Sequence, residues 1–478
     1  MNHAHPRAVV LGSGLAGTLA AAALTRNRFT VDLVEPDQLP TAAAPRKGLP
    51  QARHIHLLMS GGAEAIDALV PGTVQRLLDA GARRIPLTTD MVALAPEGWY
   101  RRWAGPTRYL IACSRDLLDF TVRRAVLAHP RVTVHQGVKA SGLTGDARRV
   151  TGTRLQAADG TEAPLAADLV VDATGRAART PHWLRDMGIT GLNEARVDSG
   201  LAYASRVYRA PVTDPNWPVI VIQADPRLPQ PGRAGGILPI EDGQWLVSMS
   251  GTPGAHPTNN PDAFRDFAYQ LRHPLVGDLL GHAEPLTGVS VTHGTFNFRR
   301  YYENLTPWPD GLIVLGDALA AFNPVYGHGM SVAAQGALAL RAETARRPAT
   351  EPGLSRRIQR AIARPVSIAW EMATSQDLRY PHTRATGQPL NLAGRFSQWY
   401  ASRLSHTATG SYRIATAMTE VTTLHAPPLT LAKPSILLAA LLGPLRPQLS
   451  APPFARETTL LNQAAALDSG PPVTGEIG

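Results

Sequence analysis

The chain has one cysteine, Cys113, which excludes an intramolecular disulfide framework and any thiolate metal cluster. A reducing, cytoplasmic setting is the simple expectation. No apolar run reaches the ~18–20 residues that a membrane-spanning helix needs. The nearest candidate, Ile436 to Leu442, is bracketed by Pro434 and Pro444. It reads as a packed helix, with contact to a membrane surface as the other reading. The opening MNHAHPR runs straight into an apolar strand, so no signal peptide is expected. Net charge is +10, yet no Lys/Arg block of five or more occurs, only pairs such as Arg83-Arg84, Arg101-Arg102 and Arg123-Arg124. With no zinc-finger or RNA-binding signature, nucleic acid is not an expected partner. A bound group with two phosphates would offset part of the charge. GxSxG, P-loop and HExxH motifs are also missing. Arg53, His54 and His56 lie together, but two histidines with no acid beside them do not make a metal site.

What is present begins at Ala8. An apolar strand, Ala8 to Leu11, runs into Gly12-Ser13-Gly14-Leu15-Ala16-Gly17, then an Ala-rich helix, then a second strand, Phe29 to Val34, ending in Glu35. This is the βαβ dinucleotide fingerprint with its parts in order. Gly12 permits the tight turn, Gly14 lets backbone approach a pyrophosphate, and Gly17 lets helix and strand pack closely. The helix N-terminus offers free N–H groups and partial positive charge to the phosphates. Glu35, 18 residues past Gly17, stands where an acid accepts from ribose hydroxyls. An acid there argues against a cofactor with a 2′-phosphate.

Beyond Glu35 a Pro/Ala-rich loop, 36–50, precedes helical segments near Ala63 to Val70 and Thr73 to Ala80. A helix is expected from Ser114, its N-cap, to Leu127. Strands are expected at Val132 to Val138, Val150 to Gln156 and up to Asp172. The middle differs. Leu201 to Tyr208 alternates, Val219 to Ile222 is largely β-branched, and Asp242-Gly243 sits at the turn of a hairpin. Val289 to Phe298 reads as one more strand of a mainly antiparallel sheet, suited to walling a substrate pocket. Trp99, Tyr100, Trp103, Tyr203 and Trp245 are candidates either to line that pocket or to fill the core. Leu312 to Leu315 is again a buried strand, followed by Gly316-Asp317, a Pro/Gly loop and a helix from Met330 to Arg346. Apolar spacing from about 355 onward is helical.

The segment after Leu315 carries its own chemistry. Asp317, at the end of a buried strand, is placed to accept from a polyhydroxyl chain. Pro324 is rigid and lacks a donor, suited to packing beside a flat ring. Gly327 and Gly329 let backbone N–H groups reach a ring edge, and the helix opening near Met330 turns its positive end there. Three segments together, GSGLAG with Glu35, Asp168 to Arg179, and Gly316 to Ala333, make the chain resemble the flavoprotein monooxygenases of the aromatic hydroxylase and squalene epoxidase type, across roughly residues 7 to 345. The Pro50 to Leu58 stretch and the DLRYP at Asp377 to Pro381 are most similar to bacterial epoxidases of polyether polyketide biosynthesis.

That resemblance implies an α/β fold: a discontinuous Rossmann-like FAD-binding domain, an antiparallel β-sheet substrate domain and a C-terminal helical region. The implied divisions are 1–84, 112–190 and 299–346 for the FAD-binding parts, 85–111 and 191–298 for the substrate domain, 347–465 for the helical region, and a disordered tail at 466–478. It implies FAD as cofactor, held by Gly12, Ser13, Gly14, Leu15, Ala16, Gly17, Glu35, Arg53, His54, Arg115, Val138, Asp317, Pro324, Gly327, His328, Gly329 and Met330. Arg115 would correspond to the arginine that reaches FAD, and Val138 to a backbone contact with adenine. NAD(P)H would be the reductant, used directly or through a partner flavin reductase. The family's Asp-Gly pair is split here by Ala173-Thr174, which bears on direct NAD(P)H handling. The implied reaction transfers one oxygen atom from O2, through a flavin C4a-hydroperoxide, to an apolar natural-product substrate. Epoxidation of an olefin is favoured because no base for phenol activation is evident. His328 and Tyr326 are weak candidates to donate a hydrogen bond near the peroxide. The alternatives are aromatic hydroxylation, or a flavin-dependent reductase that inserts no oxygen. A third is a non-catalytic FAD-binding protein. A disulfide-type flavin reductase is excluded by the missing second GxGxxG and redox cysteine pair. The WxWxIP stretch usual in flavin halogenases is also missing.

Overall fold

The computed structural model describes residues 5–387 and 392–468. Strand β1 (Arg7–Leu11), helix α1 (Leu15–Arg26) and strand β2 (Thr30–Glu35) form the first crossover unit. Helix α2 (Arg115–Leu127) leads into β3 (Val132–Gln136), and β4 (Leu169–Asp172) follows. Much later in the chain, β5 (Leu312–Val314) is followed by α3 (Gly329–Arg346) and α4 (Leu354–Asp377). The five strands make one parallel sheet in the order β5-β4-β1-β2-β3. Parallel strands covered on both faces should be apolar throughout, and Ala8 to Leu11 and Leu169 to Val171 are all essentially inaccessible. α1 is buried on nearly every side. Its run of alanines and glycine lets the sheet and α3 approach closely on opposite flanks, and Asn27 locks it to α3 by donating to the Arg341 carbonyl at 2.7 Å.

Helix α2 starts as its sequence predicts. The Ser114 hydroxyl accepts from the Leu117 N–H at 3.1 Å, satisfying one of the free N–H groups of the first turn.

An eight-stranded, mainly antiparallel sheet forms the second layer, built on Ala202–Arg209, Gln244–Gly251 and Arg233–Ile240. Asp242 and Gly243 both take positive φ, at 58° and 65°, the geometry of a two-residue hairpin turn. Met91–Ala95 joins this sheet parallel to Val219–Ile222. Arg83–Pro86 and Tyr109–Ala112 instead pair in a separate three-stranded sheet with Leu58–Met59. The single strand expected over Val289 to Phe298 is two. Ser290–Thr292 pairs in the eight-stranded sheet and Asn297–Arg300 in a four-stranded one. Gly294, at φ 72°, lies between them.

Two of the five aromatic pocket candidates, Trp99 and Trp245, fill a core. Trp245 stacks on Trp217 at 5.2 Å, and Phe454, from the C-terminal stretch, meets Trp217 edge-on at 5.6 Å. Trp99 is buried against His273. The C-terminal region is helical through Asp468, and the tail expected to be disordered lies, from residue 469 on, outside the described residues. Among the described residues no helix is long and apolar enough to cross a membrane.

Candidate functional site

The open end of the parallel sheet lies where β1 and β4 meet the turns that follow them, the usual ligand crevice of such a fold. Three glycines of the first turn have different reasons to be glycine. Gly12 has φ 91°, and a Cβ there would lie 2.8 Å from the Ala173 carbonyl oxygen. A Cβ on Gly17 would lie 1.8 Å from the Gly12 carbonyl oxygen. Both are fixed by the protein itself. Gly14 is not: a Cβ there meets no atom within 4 Å, and its backbone angles are open to any residue. The first bond of α1 runs from the Thr18 N–H to the Gly14 carbonyl. The N–H groups of Leu15, Ala16 and Gly17 therefore point out of the helix end over that space. This is a cradle of pyrophosphate size and polarity.

At the adenosine side, Glu35 accepts from the Ser13 N–H at 2.9 Å and from the Ser13 hydroxyl. A residue the sequence reading passed over completes this corner. Arg46 donates to Glu35 at 3.0 Å, to the Ser13 carbonyl at 3.1 Å and to Asp119 at 3.2 Å. Arg123 shares Asp119, so two acids and two arginines are buried together in balanced charge. Arg46 Nε is buried without a partner. Val138 lies beside this corner, its N–H donating to the Glu35 carbonyl at 3.2 Å.

Arg115 and Asp317 lie near enough to feel each other's charge. Arg115 is buried, and burial lowers its pKa while Asp119 and Asp317 raise it. It makes no hydrogen bond to a described residue. Asp317 stands on the turn after β5, brought against α1 by Gly316, where an added Cβ would lie 2.6 Å from the Ala16 Cβ. Burial raises the Asp317 pKa, opposed by Arg176 and Arg115. A buried cation and a half-buried acid, neither with a protein partner at bonding distance, suit a phosphate and a ribityl chain. Asp317→Ala is expected to weaken FAD binding by about tenfold, the worth of one charge-assisted hydrogen bond. Fluorescence titration checks this, and unchanged affinity removes the residue from the site.

The segment expected to meet the flat ring consists of the turn Pro324–Tyr326, Gly327 at φ 67° and the N-terminus of α3. A Cβ on Gly329 would meet nothing within 4 Å, as at Gly14. A Cβ on Gly327 would lie 3.0 Å from the Leu57 Cβ, so the 53–58 segment does run beside this loop. Within that segment, Arg53 is exposed. His54 is turned away, its ring bonded to the Ser205 and Thr292 hydroxyls at 2.7 Å each. Asp172 is also spent locally, accepting from the Thr174 N–H and hydroxyl and from the Thr180 hydroxyl.

His328 and Tyr326 have their donors engaged elsewhere. His328 Nε2 lies 3.1 Å from the Thr422 carbonyl, which fixes the proton on that nitrogen and leaves Nδ1 buried without a partner. The Tyr326 hydroxyl donates to Asp377 Oδ1 at 2.5 Å. Asp377, the last residue of α4, is completely buried. Its other oxygen accepts from Asn297 Nδ2 at 2.6 Å and Asn323 Nδ2 at 3.2 Å. Asn323 in turn accepts from the Tyr203 hydroxyl, which also receives the Val325 N–H at 3.2 Å. Burial raises the Asp377 pKa and these donors oppose it. One carboxylate thus ties the ring-facing loop to α4 and to two strands.

Burial holds His54 and His328 neutral, with pKa values pushed down to about 4. An unfolded histidine titrates near 6.5, so as pH falls below that value the unfolded chain takes up protons first. Stability then drops by about 1.4 kcal/mol per pH unit for each histidine until pH nears 4. The raised carboxyls of Asp317 and Asp377 work against this at the acid end. Thermal midpoints should be flat between pH 7 and about 8 and fall from about pH 6.5 to 5. Replacing His54 and His328 with Asn should lessen that slope, leaving the part due to His56, whose burial lowers its pKa to about 3, and an unaltered slope would assign it to other groups.

A βαβ unit with a free glycine at its helix N-terminus and an acid ending its second strand is the frame of a dinucleotide-binding protein. The FAD binding domain family matches residues 6–347, and the chain belongs to that family, within the aromatic hydroxylase and FAD monooxygenase superfamily; FAD is its cofactor. It is 34% identical to Protein Rv3254 of Mycobacterium tuberculosis over 335 residues, 68% of this chain and 70% of that protein. It is 29% identical to kynurenine 3-monooxygenase of Salinispora arenicola over 354 residues, 70% and 71% of the two chains. The flavin-dependent brominase Bmp2 shares the fold, with a TM-score of 0.61 at 16% identity over 88% of this chain and 93% of that one.

Proposed function

We propose that this protein is an FAD-dependent monooxygenase that inserts one atom of O2 into an apolar natural-product molecule, by epoxidation of an olefin. What supports the reading is the match of residues 6–347 to the FAD binding domain family, together with the N-termini of α1 and α3, each at a glycine whose Cβ position is free. Reduced FAD supplies the electrons that activate O2. On the protein side, the α1 N–H groups and Arg115 bind the pyrophosphate, Glu35 holds the ribose, and Asp317 holds the ribityl hydroxyls. Arg53 and Val138 complete the proposed cofactor contacts; His54, expected among them, has both ring nitrogens bonded to Ser205 and Thr292 and instead pins its segment to the sheet. The α3 N-terminus, with Gly327, Gly329 and Met330, stabilises negative charge at the ring edge. Pro324 packs the ring. Substrate enters from the eight-stranded sheet, whose side of the crevice excludes water.

Epoxidation is favoured over phenol hydroxylation by the state of the titratable groups near the loop. Tyr203, Tyr326 and Asp377 are bonded to one another or to asparagines, and His328 donates to backbone. His56 donates its Nδ1 proton to the His54 carbonyl and has its pKa lowered to about 3, too weak a base to deprotonate a phenol. An olefin needs no base. The similarity to a kynurenine 3-monooxygenase favours the second reading, hydroxylation of an aromatic ring. Reductant is NAD(P)H, direct or through a reductase.

The test offers FAD-loaded protein, NADPH or NADH, and 18O2 a panel of apolar olefins and phenols. One labelled oxygen in an epoxide supports the proposal. One labelled oxygen on an aromatic ring assigns the hydroxylase reading, and reduced products without label replace both with a reductase.

A further inference from the structure

Helix α5 (Pro434–Leu442) is apolar apart from Ser435. Ile436 and Ala440 are buried against Leu404, Ala408 and Ile414. The opposite face is bare: Leu437 is 40% exposed, Leu438 58%, Leu441 68% and Leu442 74%, with Leu445 at 81% and Leu429 at 79% beside them. A contiguous leucine patch of this kind marks an interaction surface rather than a solvated face. The helix is held rigidly, since the Arg403 guanidinium donates to the Ala440 and Leu441 carbonyls at 2.9 and 3.2 Å.

The sequence flanking it is one-sided in charge, although Arg456 is paired with Asp214 and Glu457. Between Asp377 and Glu457 the sequence has eight lysines and arginines and one acid, Glu420, a surplus of seven in a chain whose net charge is +10. Glu420 is itself held by Arg108 at 2.8 and 2.9 Å. Lys433, at the start of the helix, and Arg446, just beyond it, are exposed. We propose that this face docks on an anionic lipid surface, the leucines entering the interfacial layer and the surrounding cations meeting the headgroups. The helix has nine residues, about 13 Å at helical rise, so it lies in the interface and does not span it. A second copy is disfavoured by the same charge, because a two-fold contact would set one basic region against its twin within a Debye length.

The test uses the full FAD-loaded chain in vesicle sedimentation, with phosphatidylcholine containing about 30% phosphatidylglycerol against phosphatidylcholine alone. The expected result is binding to the anionic vesicles that weakens with salt, and little binding to the neutral ones. Leu438→Ser with Leu441→Ser alters only exposed side chains and should lower that binding about tenfold or more. Lys433→Glu should lower it as well. Protein that stays in the supernatant with both vesicles overturns the proposal, as does undiminished binding of the leucine variant. A wild-type dimer in sedimentation equilibrium that the leucine variant turns into monomer, without vesicle binding, assigns the face to a second copy instead.

Discussion

Gly14→Glu is expected to fold as the parent does and to emerge from purification without FAD. The backbone at this position has φ −65° and ψ 177°, so a side chain brings no strain, and its Cβ meets no protein atom within 4 Å. The glutamate would fill the space over the α1 N-terminus with bulk and negative charge. Loss of two charge-assisted bonds to phosphate is worth about 3–6 kcal/mol, a hundredfold or more in affinity. Gly17→Ala is the control with the opposite signature. Its methyl group would collide with the Gly12 carbonyl, so stability falls together with FAD binding. Thermal midpoints and FAD titration of the two variants separate the effects. A Gly14→Glu protein that keeps its FAD would refute the phosphate cradle.

Asp377→Ala is expected to be the most damaging single truncation near the ring-facing loop. It strips the acceptor from the Tyr326 hydroxyl and from the Asn297 and Asn323 amides, and both asparagines are fully buried. Each stranded donor costs about 1–3 kcal/mol, so a loss of about 3 kcal/mol or more in unfolding free energy is expected. Asn323 to Gly327 would also lose its tether to α4, and FAD affinity should fall with it. Asp377→Asn keeps the volume and one acceptor oxygen, so it should recover part of both. Chemical denaturation and FAD titration read the two quantities. If the alanine variant is as stable as wild type, Asp377 is not the anchor of the loop.

The local features were readable because each depends on neighbours in the chain. The βαβ unit, the Ser114 cap, the Asp242-Gly243 turn and the helix after Gly327 all follow from residue types at fixed short spacing. Arg46 was not readable: it is a lone arginine in a Pro/Ala-rich loop, and only the fold brings it back over Ser13 and Glu35. The knot around Asp377 draws on Tyr203, Asn297, Asn323 and Tyr326, from segments far apart in sequence. No periodicity announces such a cluster. The notice available was the DLRYP stretch itself, which ends one helix and carries an acid with no surface role. Val289 to Phe298 was misread because a strand pattern does not reveal which sheet each half joins.

One FAD is expected to reach from α1, which holds its phosphates, to α3, which meets its ring. Amide hydrogen exchange of the intact protein, with and without FAD, tests this most directly. Slowed exchange is predicted together at residues 14–18 and 327–332, with no change in the buried hairpin at 233–251. Protection of the first segment alone, or of neither, would contradict the account.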